Sequence, residues 1–145
     1  MENRTVTVYV QKCLIELVKM ENEFLKSVGE ESLSQEQCRR LEEALNEEKI
    51  IFFTAKTEGQ TVGMCSISPC FSTYACRPCG VFDDFFIRPE YRGRGIARML
   101  VNAAQLWCKD HGYASMTVGC ASGDVAMYQS LGFDTELGTM LVNNL

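Results

Sequence analysis

The chain has 145 residues, 14 basic against 19 acidic, for a net charge of -5. A length close to one domain buries roughly 70% of the surface that the unfolded chain exposes, so neither disulfides nor a structural metal is required for stability. The charge balance argues against a general affinity for nucleic acid or anionic membranes and leaves anion binding to a local patch.

The opening "MENRTVTVYVQK" carries no long apolar stretch, and no window reaches the ~20 apolar residues of a membrane span. This predicts a soluble, cytoplasmic protein without nucleic-acid or membrane partners. The eight cysteines are then expected to stay reduced and to serve mostly as small core residues.

A short alternating stretch, "TVTVYV", precedes Leu14, Leu17, Val18, Leu25 and Val28, whose helical spacing stops at Gly29, a natural C-terminal cap. Ser34 and Gln37 stand at capping-box spacing before Cys38, Leu41, Ala44 and Leu45, which predicts a second helix ending near "NEEK". β-Branched and aromatic residues then dominate, predicting strands at "IIFFTAKT", "TVGMCSIS" and, past an irregular segment, "VFDDFFI". The turn-like "EGQ" makes the first two a hairpin. From Ile96 a helical stripe of Ile96, Leu100, Ala103 and Trp107 runs to a stop at His111-Gly112. "YASMTVGC" predicts a strand, "GDVAMYQSL" a short helix, and "GFDTELGTMLVNN" the closing strand or strands. With neither repeat nor linker, residues 1–145 read as one mixed α/β domain.

The stretch "YRGRGIARML" sets Arg92, Arg94 and Arg98 around Gly93 and Gly95 where the third helix begins. Unpaired amides at a helix start carry about half a positive charge, and glycines admit a ligand to the backbone because no Cβ stands in the way. A phosphate or pyrophosphate satisfies those donors and the arginines together. The dinucleotide-binding G-x-G-x-x-G pattern fails at Arg98, and no Gly-Lys-Ser/Thr follows for a P-loop.

Two other groups of residues carry weaker signals. Cys65, Cys70, Cys76 and Cys79 contain a single C-x-x-C pair, "CRPC", where a four-thiolate zinc site favours two, so no metal is expected. Nor does "CRPC" open a helix, as a thioredoxin-like redox pair would. His111 falls in the last turn of its helix and reads as structural.

"RGRGIA", Arg92 to Ala97, resembles the [RQ]-x-x-G-x-[GA] pyrophosphate loop of the GNAT superfamily of acyl-CoA-dependent N-acyltransferases. The acidic strand before it, the amphipathic helix after it and "AMYQSLGF" some thirty residues on, with Tyr128, Gly132 and Phe133, strengthen the likeness. It spans roughly Thr61 to Asp134. Where many members carry an asparagine seven residues before the tyrosine, this chain has Ala121; the adjacent Ser122 offers a helix cap instead.

The resemblance implies a mixed, twisted sheet of about six or seven strands flanked by about four helices, with two parallel strands splayed to form a coenzyme A cleft. It implies acetyl-CoA as co-substrate and no metal. The matching positions are the backbone of Phe85, Phe86 and Ile87 for pantetheine, and Arg92, Gly93, Arg94, Gly95, Ile96, Ala97 and Arg98 for the pyrophosphate. Tyr128, a phenol of pKa ~10 beside a thiol near 8.5, is placed as the acid that protonates the departing thiolate. "DDFF" is similar to a Glu-Asp-Phe-Phe stretch of polyamine acetyltransferases, which makes Asp83 the expected base, acting through water or by orienting the cation. Asp84 is its companion in acceptor binding, although strand pleating sends the two to opposite faces unless a bulge intervenes.

The expected reaction is direct transfer of an acetyl group to a primary amine, with a small cationic acceptor favoured by the acids. A protein or peptide amine and a non-catalytic acyl-CoA sensor are the alternatives. The ending "GTMLVNNL" leaves pairing into a homodimer open, as in relatives that associate through their final strands.

Overall fold

The computed structural model describes residues 5–145. Strand β1 (Thr7–Gln11) is followed by helices α1 (Leu14–Ser27) and α2 (Gln35–Asn46). Strands β2 (Ile51–Thr57), β3 (Gln60–Ser72) and β4 (Arg77–Ile87) come next, then α3 (Ile96–Asp110), β5 (Met116–Val118) and α4 (Val125–Ser130).

Local chemistry sets most of these ends. Helix α1 closes in a Schellman turn: Glu30 N–H donates to the Leu25 carbonyl at 2.8 Å, Gly29 N–H to that of Lys26 at 3.2 Å, and Gly29 has φ +82°. Both halves of the predicted capping box form at α2, where Ser34 Oγ accepts from Gln37 N–H and Gln37 Oε1 from Ser34 N–H. The β2–β3 turn places Glu58 and Gly59 at φ +52° and +75°, a combination suited to the twist of a tight hairpin.

The sheet order is β1-β2-β3-β4-β5, antiparallel throughout except for the parallel β4–β5 pair. Alternation of side chains gives it two apolar faces. On one, Phe52, Met64 and Phe86 pack with Leu17 and Met20 of α1 and the partly buried Leu41 and Leu45 of α2. On the other, Phe53, Cys65, Ile67 and Phe82 pack with Ile96, Leu100, Val101, Ala104 and Cys108 of α3. Among the described residues no helix is long and apolar enough to cross a membrane.

Three expectations are corrected. Five strands form among the described residues rather than six or seven, because the segment after Phe133 forms none. Turn-forming Asp134, Gly138 and two asparagines interrupt that segment, and β5, three residues long, offers a ladder too short to recruit it. Leu137, Leu141 and Val142 are left exposed. The supposedly irregular segment before β4 is instead a ribbon, with Ser68–Ser72 of β3 paired to Arg77–Val81 of β4. Most cysteines are not core residues: only Cys65 and Cys108 are buried.

Phe82 is the last β4 residue paired with β5, and its ring meets Phe85 at 5.1 Å and Phe133 at 5.3 Å between centroids. Phe82→Ala is expected to cost ~3–5 kcal/mol and to lower the thermal midpoint by roughly 10 °C, as read by calorimetry.

Candidate active site

The site begins where β4 and β5 part. Gly80, Val81 and Phe82 face Met116, Thr117 and Val118 in register, and from Asp83 onward β4 has no strand on that side. Such an open edge presents main-chain groups to which an extended, amide-bearing ligand can add as a strand would. Phe85 and Ile87 lie on this edge, whereas the main chain of Phe86, expected with them, is paired to Met64 of β3 and faces the other way. The Ile87 carbonyl is taken by the chain itself, accepting from Arg92 Nε at 2.9 Å.

Beyond the edge, a short 3-10 turn (Pro89–Tyr91) leads to the glycines. Gly93 and Gly95 adopt φ +75° and +82°, and a Cβ at either would meet nothing within 4 Å. These glycines therefore serve a left-handed turn whose outer side is open. The first backbone hydrogen bond of α3 runs from Met99 N–H to the Gly95 carbonyl at 3.2 Å, and no side chain caps the start. The amides of Ile96, Ala97 and Arg98 are thus without intrahelical acceptors, a donor set that suits a diphosphate.

The three arginines divide their work. Arg92 holds Ile87 and lies 5.9 Å from the centre of the Phe86 ring, and Arg94 stands 5.0 Å over Tyr91. Arg98 donates through Nη2 to the Ser130 carbonyl at 2.8 Å, tying the first turn of α3 to the end of α4.

Through that tie Tyr128 is placed. The Tyr128 carbonyl accepts from both Leu131 and Phe133 N–H, Gly132 takes φ +108°, and the Phe133 ring packs edge-on against the phenol at 5.9 Å. These contacts give the Tyr-x-x-x-Gly-Phe spacing its physical reason: the glycine turns the chain so that the phenylalanine buttresses the tyrosine. Tyr128 also packs against Phe85, ring centres 6.1 Å apart, which sets it beside the unpaired part of β4. Burial pushes its hydroxyl above the usual phenol range, helped by Cys120, Asp124 and Asp83, so it is a proton donor at neutral pH. Ser122 and Asp124 make no side-chain cap at this helix.

The acids are gathered by a bulge. The β3–β4 register shifts between Met64 and Ser66, where Asp84 takes φ +50°. The slip that pleating alone forbids is thereby made. Asp83 pairs with Ser66, and Asp84 Oδ2 accepts from the hydroxyl of that same buried serine at 2.7 Å, so both carboxyls lie on the α1 side of the sheet. Asp83 is exposed, and its Oδ1 accepts from Asp84 N–H at 2.8 Å.

Sequence reading missed the third member, Glu21 of α1. Burial, then the charge and hydrogen bond of Asp84, then the charge of Asp83 push its carboxyl up to about 8. Burial also raises Asp84, against the opposing effects of the Ser66 hydroxyl and Glu21 and with that of Asp83. Burial and the mutual repulsion of the two carboxyls both favour a proton kept between them. Glu21 Oε2 is fully buried, and among the described residues no N–H or hydroxyl donor reaches it. Helix α1 is fastened here by Glu23, which accepts both Nε and Nη2 of Arg88 at 2.8 Å just past the end of β4. No spacing rule relates positions 21 and 84; only the packing of α1 on β4 does.

The chain belongs to the acetyltransferase (GNAT) family, whose pattern matches residues 14–133. It is 25% identical over 93 residues to an aminoglycoside N(6')-acetyltransferase type 1 of Stenotrophomonas maltophilia, an alignment spanning 60% of this chain and 61% of that protein. The chain thus matches about three-fifths of the length of this curated relative. An acetyltransferase of Trypanosoma brucei superposes with a TM-score of 0.79 at 19% identity, covering 97% of this chain and 100% of the other. An aminoglycoside N-acetyltransferase, AAC(6')-Iy, in complex with CoA gives 0.80 at 18% identity, covering 99% and 97%. These superpositions establish the shared fold.

The Glu21 carboxyl makes stability depend on pH. With its folded value raised from 4.5 to about 8, the folded state binds more protons than the unfolded state between those values, so Glu21 lowers stability as pH rises across that window. Glu21→Gln is expected to flatten the loss between these limits and to raise the thermal midpoint most at the alkaline end, measured by thermal unfolding over a pH series.

Proposed function

We propose that this protein is an N-acetyltransferase that passes the acetyl group of acetyl-CoA directly to the primary amine of a small cationic molecule. The observation that carries the reading is the shared gap: the open edge of β4 lies between the unpaired amides of α3, the phenol of Tyr128 and the carboxyls of Glu21, Asp83 and Asp84. Family membership and a relative named as an aminoglycoside N(6')-acetyltransferase support the same class of reaction.

The co-substrate supplies an activated acetyl thioester. The amides of Ile96, Ala97 and Arg98, with the turn at Gly93 and Gly95 and the charge of Arg94, hold its diphosphate. The unpaired β4 backbone at Phe85, with the amide of Ile87, aligns its amide-bearing arm.

On the acceptor side, a primary ammonium of pKa near 10 must lose a proton before it becomes a nucleophile. An ordinary aspartate near ~3.9 lies about six units below it, whereas a carboxyl raised to about 8 lies about two below. Glu21, in the ionised fraction that grows as pH rises toward 8, is therefore the better matched proton acceptor, and exposed Asp83 draws the cation toward it and Asp84. This reading moves the base from Asp83 to its neighbours. Tyr128, kept protonated by burial, returns a proton to the leaving thiolate.

Thiol release from acetyl-CoA over a panel of polyamines, aminoglycosides, amino acids and peptides tests the reaction and the acceptor class together. Transfer to peptides alone would replace the small-molecule acceptor, and tight cofactor binding without turnover on any amine would identify a sensor. Tyr128→Phe and Glu21→Gln are each expected to reduce kcat by ~10²–10⁴-fold while leaving the dissociation constant of coenzyme A within about twofold by calorimetry.

Coenzyme A at 100 times its dissociation constant should stabilise the fold by ~2.7 kcal/mol. Gly95→Val, which places a branched side chain at φ +82° and costs ~1–2 kcal/mol in backbone strain, is expected to remove most of that stabilisation in a thermal-shift titration.

A further inference from the structure

Cys70 of β3 and Cys79 of β4 stand directly opposite each other in the antiparallel register, and both are free thiols. Opposite residues of such a pair project from the same face of the sheet. Gly80 N–H donates to the Ser115 carbonyl and Ala114 N–H to the Pro78 carbonyl, both at 2.8 Å, so the main chain of Pro78 and Gly80 is turned toward β5. Alternation then turns Cys79 toward β3, and the two cysteines form a hydrogen-bonded pair whose Cα atoms are about 5.5 Å apart, within the span that a disulfide bridges.

The "CRPC" pair does not meet this requirement. Cys76 lies in the hairpin tip and Cys79 three residues along an extended strand, a separation of about 10 Å. The partner of Cys79 is set by the register across the hairpin, not by its neighbour in the sequence.

The surroundings permit a bond and keep it labile. The last β2–β3 pair is Ile51 with Ile67, so β3 has no strand on its outer side at Cys70, while Pro78 and Gly80 on either side of Cys79 are held by Ala114 and Ser115. Strand β3 is therefore an edge at Cys70, held there only through its pairing with β4, and it can shift toward the better-anchored Cys79. The Cβ atoms of a hydrogen-bonded pair, about 5 Å apart, must approach to about 3.8 Å for a disulfide. That distortion favours a bond that forms under oxidation and is easily reduced. Cys70 is exposed, and Ser115 Oγ donates to Cys79 Sγ at 3.2 Å at the other strand.

We propose that Cys70 and Cys79 are a site of reversible disulfide formation by exchange with a small disulfide such as oxidised glutathione, stapling the arm that leads into the cleft strand. The exposed Cys70 thiolate attacks one sulfur of oxidised glutathione and releases one glutathione thiolate. The Cys79 thiolate then attacks the Cys70 sulfur of the mixed disulfide and expels the second. Two protein thiols lose two protons and two electrons, and one oxidised glutathione becomes two reduced molecules.

The test incubates the folded full chain with excess oxidised glutathione and follows intact mass and peptide maps, with no dependence on acetyl transfer. The expected product has lost two hydrogens, carries a Cys70–Cys79 link, shows slower amide exchange in the arm, and reverts with dithiothreitol. Cys70→Ser and Cys79→Ser should each lose the link and retain a glutathione adduct on the remaining thiol, while Cys76→Ser should keep it. A link from Cys79 to Cys76, or stable adducts on Cys70 and Cys79 without a link, would overturn the proposal. So would a link that forms as selectively in denaturant as in the folded chain. Oxidation of the exposed Cys13 or Cys120 alone, with Cys70 and Cys79 left reduced, would also overturn it.

Discussion

The short parallel contact between β4 and β5 is the constraint on which the rest of the site depends. It holds for three residues, from Gly80 to Phe82, and then stops, although β4 continues to Ile87. A longer ladder would satisfy the β4 backbone internally and close the gap. The separation is sustained from both sides. Phe82 fixes the point of departure through its contacts with Phe85 and Phe133, and the chain after Val118 leaves the sheet toward α4. What remains is a stretch of main chain with unmet hydrogen-bonding capacity between two helices, which is costly to bury and useful to expose.

Around that gap the charges are sorted although the chain as a whole is acidic. Arginines line the start of α3, and two of them spend donors on carbonyls, Arg92 on Ile87 and Arg98 on Ser130. They are structural ties as well as local positive charge, so their replacement disturbs the shape of the cleft along with its potential. Across the sheet, Glu21, Asp83 and Asp84 concentrate negative charge, and partial burial of Glu21 and Asp84 raises both carboxyls and favours a proton kept between them. The nearby Arg88–Glu23 fork is satisfied within itself and fixes α1 without neutralising these acids.

Much of the site was legible because its chemistry is local. The Gly93–Gly95 turn, the helix it opens, and the Tyr128–Gly132–Phe133 arrangement are written in contiguous residues, and the structure realises them through positive φ angles and cap hydrogen bonds within a few positions. "DDFF" was half legible. Two acids in a row identify an unusual strand, but the face each one takes depends on a register slip opposite Met64–Ser66 that no residue of β4 announces. Glu21 was illegible, since an acid on an amphipathic helix looks like any solvated one until the helix is laid against β4. The cysteines misled for the same reason: "CRPC" drew attention to a sequence pair, while the spatial pair joins Cys79 to Cys70.

By itself the sequence determined the local events: where helices are capped, where the chain turns, which faces are apolar, and that α3 opens from a glycine turn with its first amides uncapped. Those follow from interactions spanning about five residues or fewer, whose partners are already neighbours along the chain. Tertiary structure alone decided that β4 and β5 separate after three pairs, that the closing segment forms no strand, that a bulge rotates Asp84 toward α1, and that Glu21 meets it there. Each of these depends on register and on the balance between burial and charge at contacts some twenty to sixty positions apart, and such a balance exists only once the sheet and its helices have been assembled.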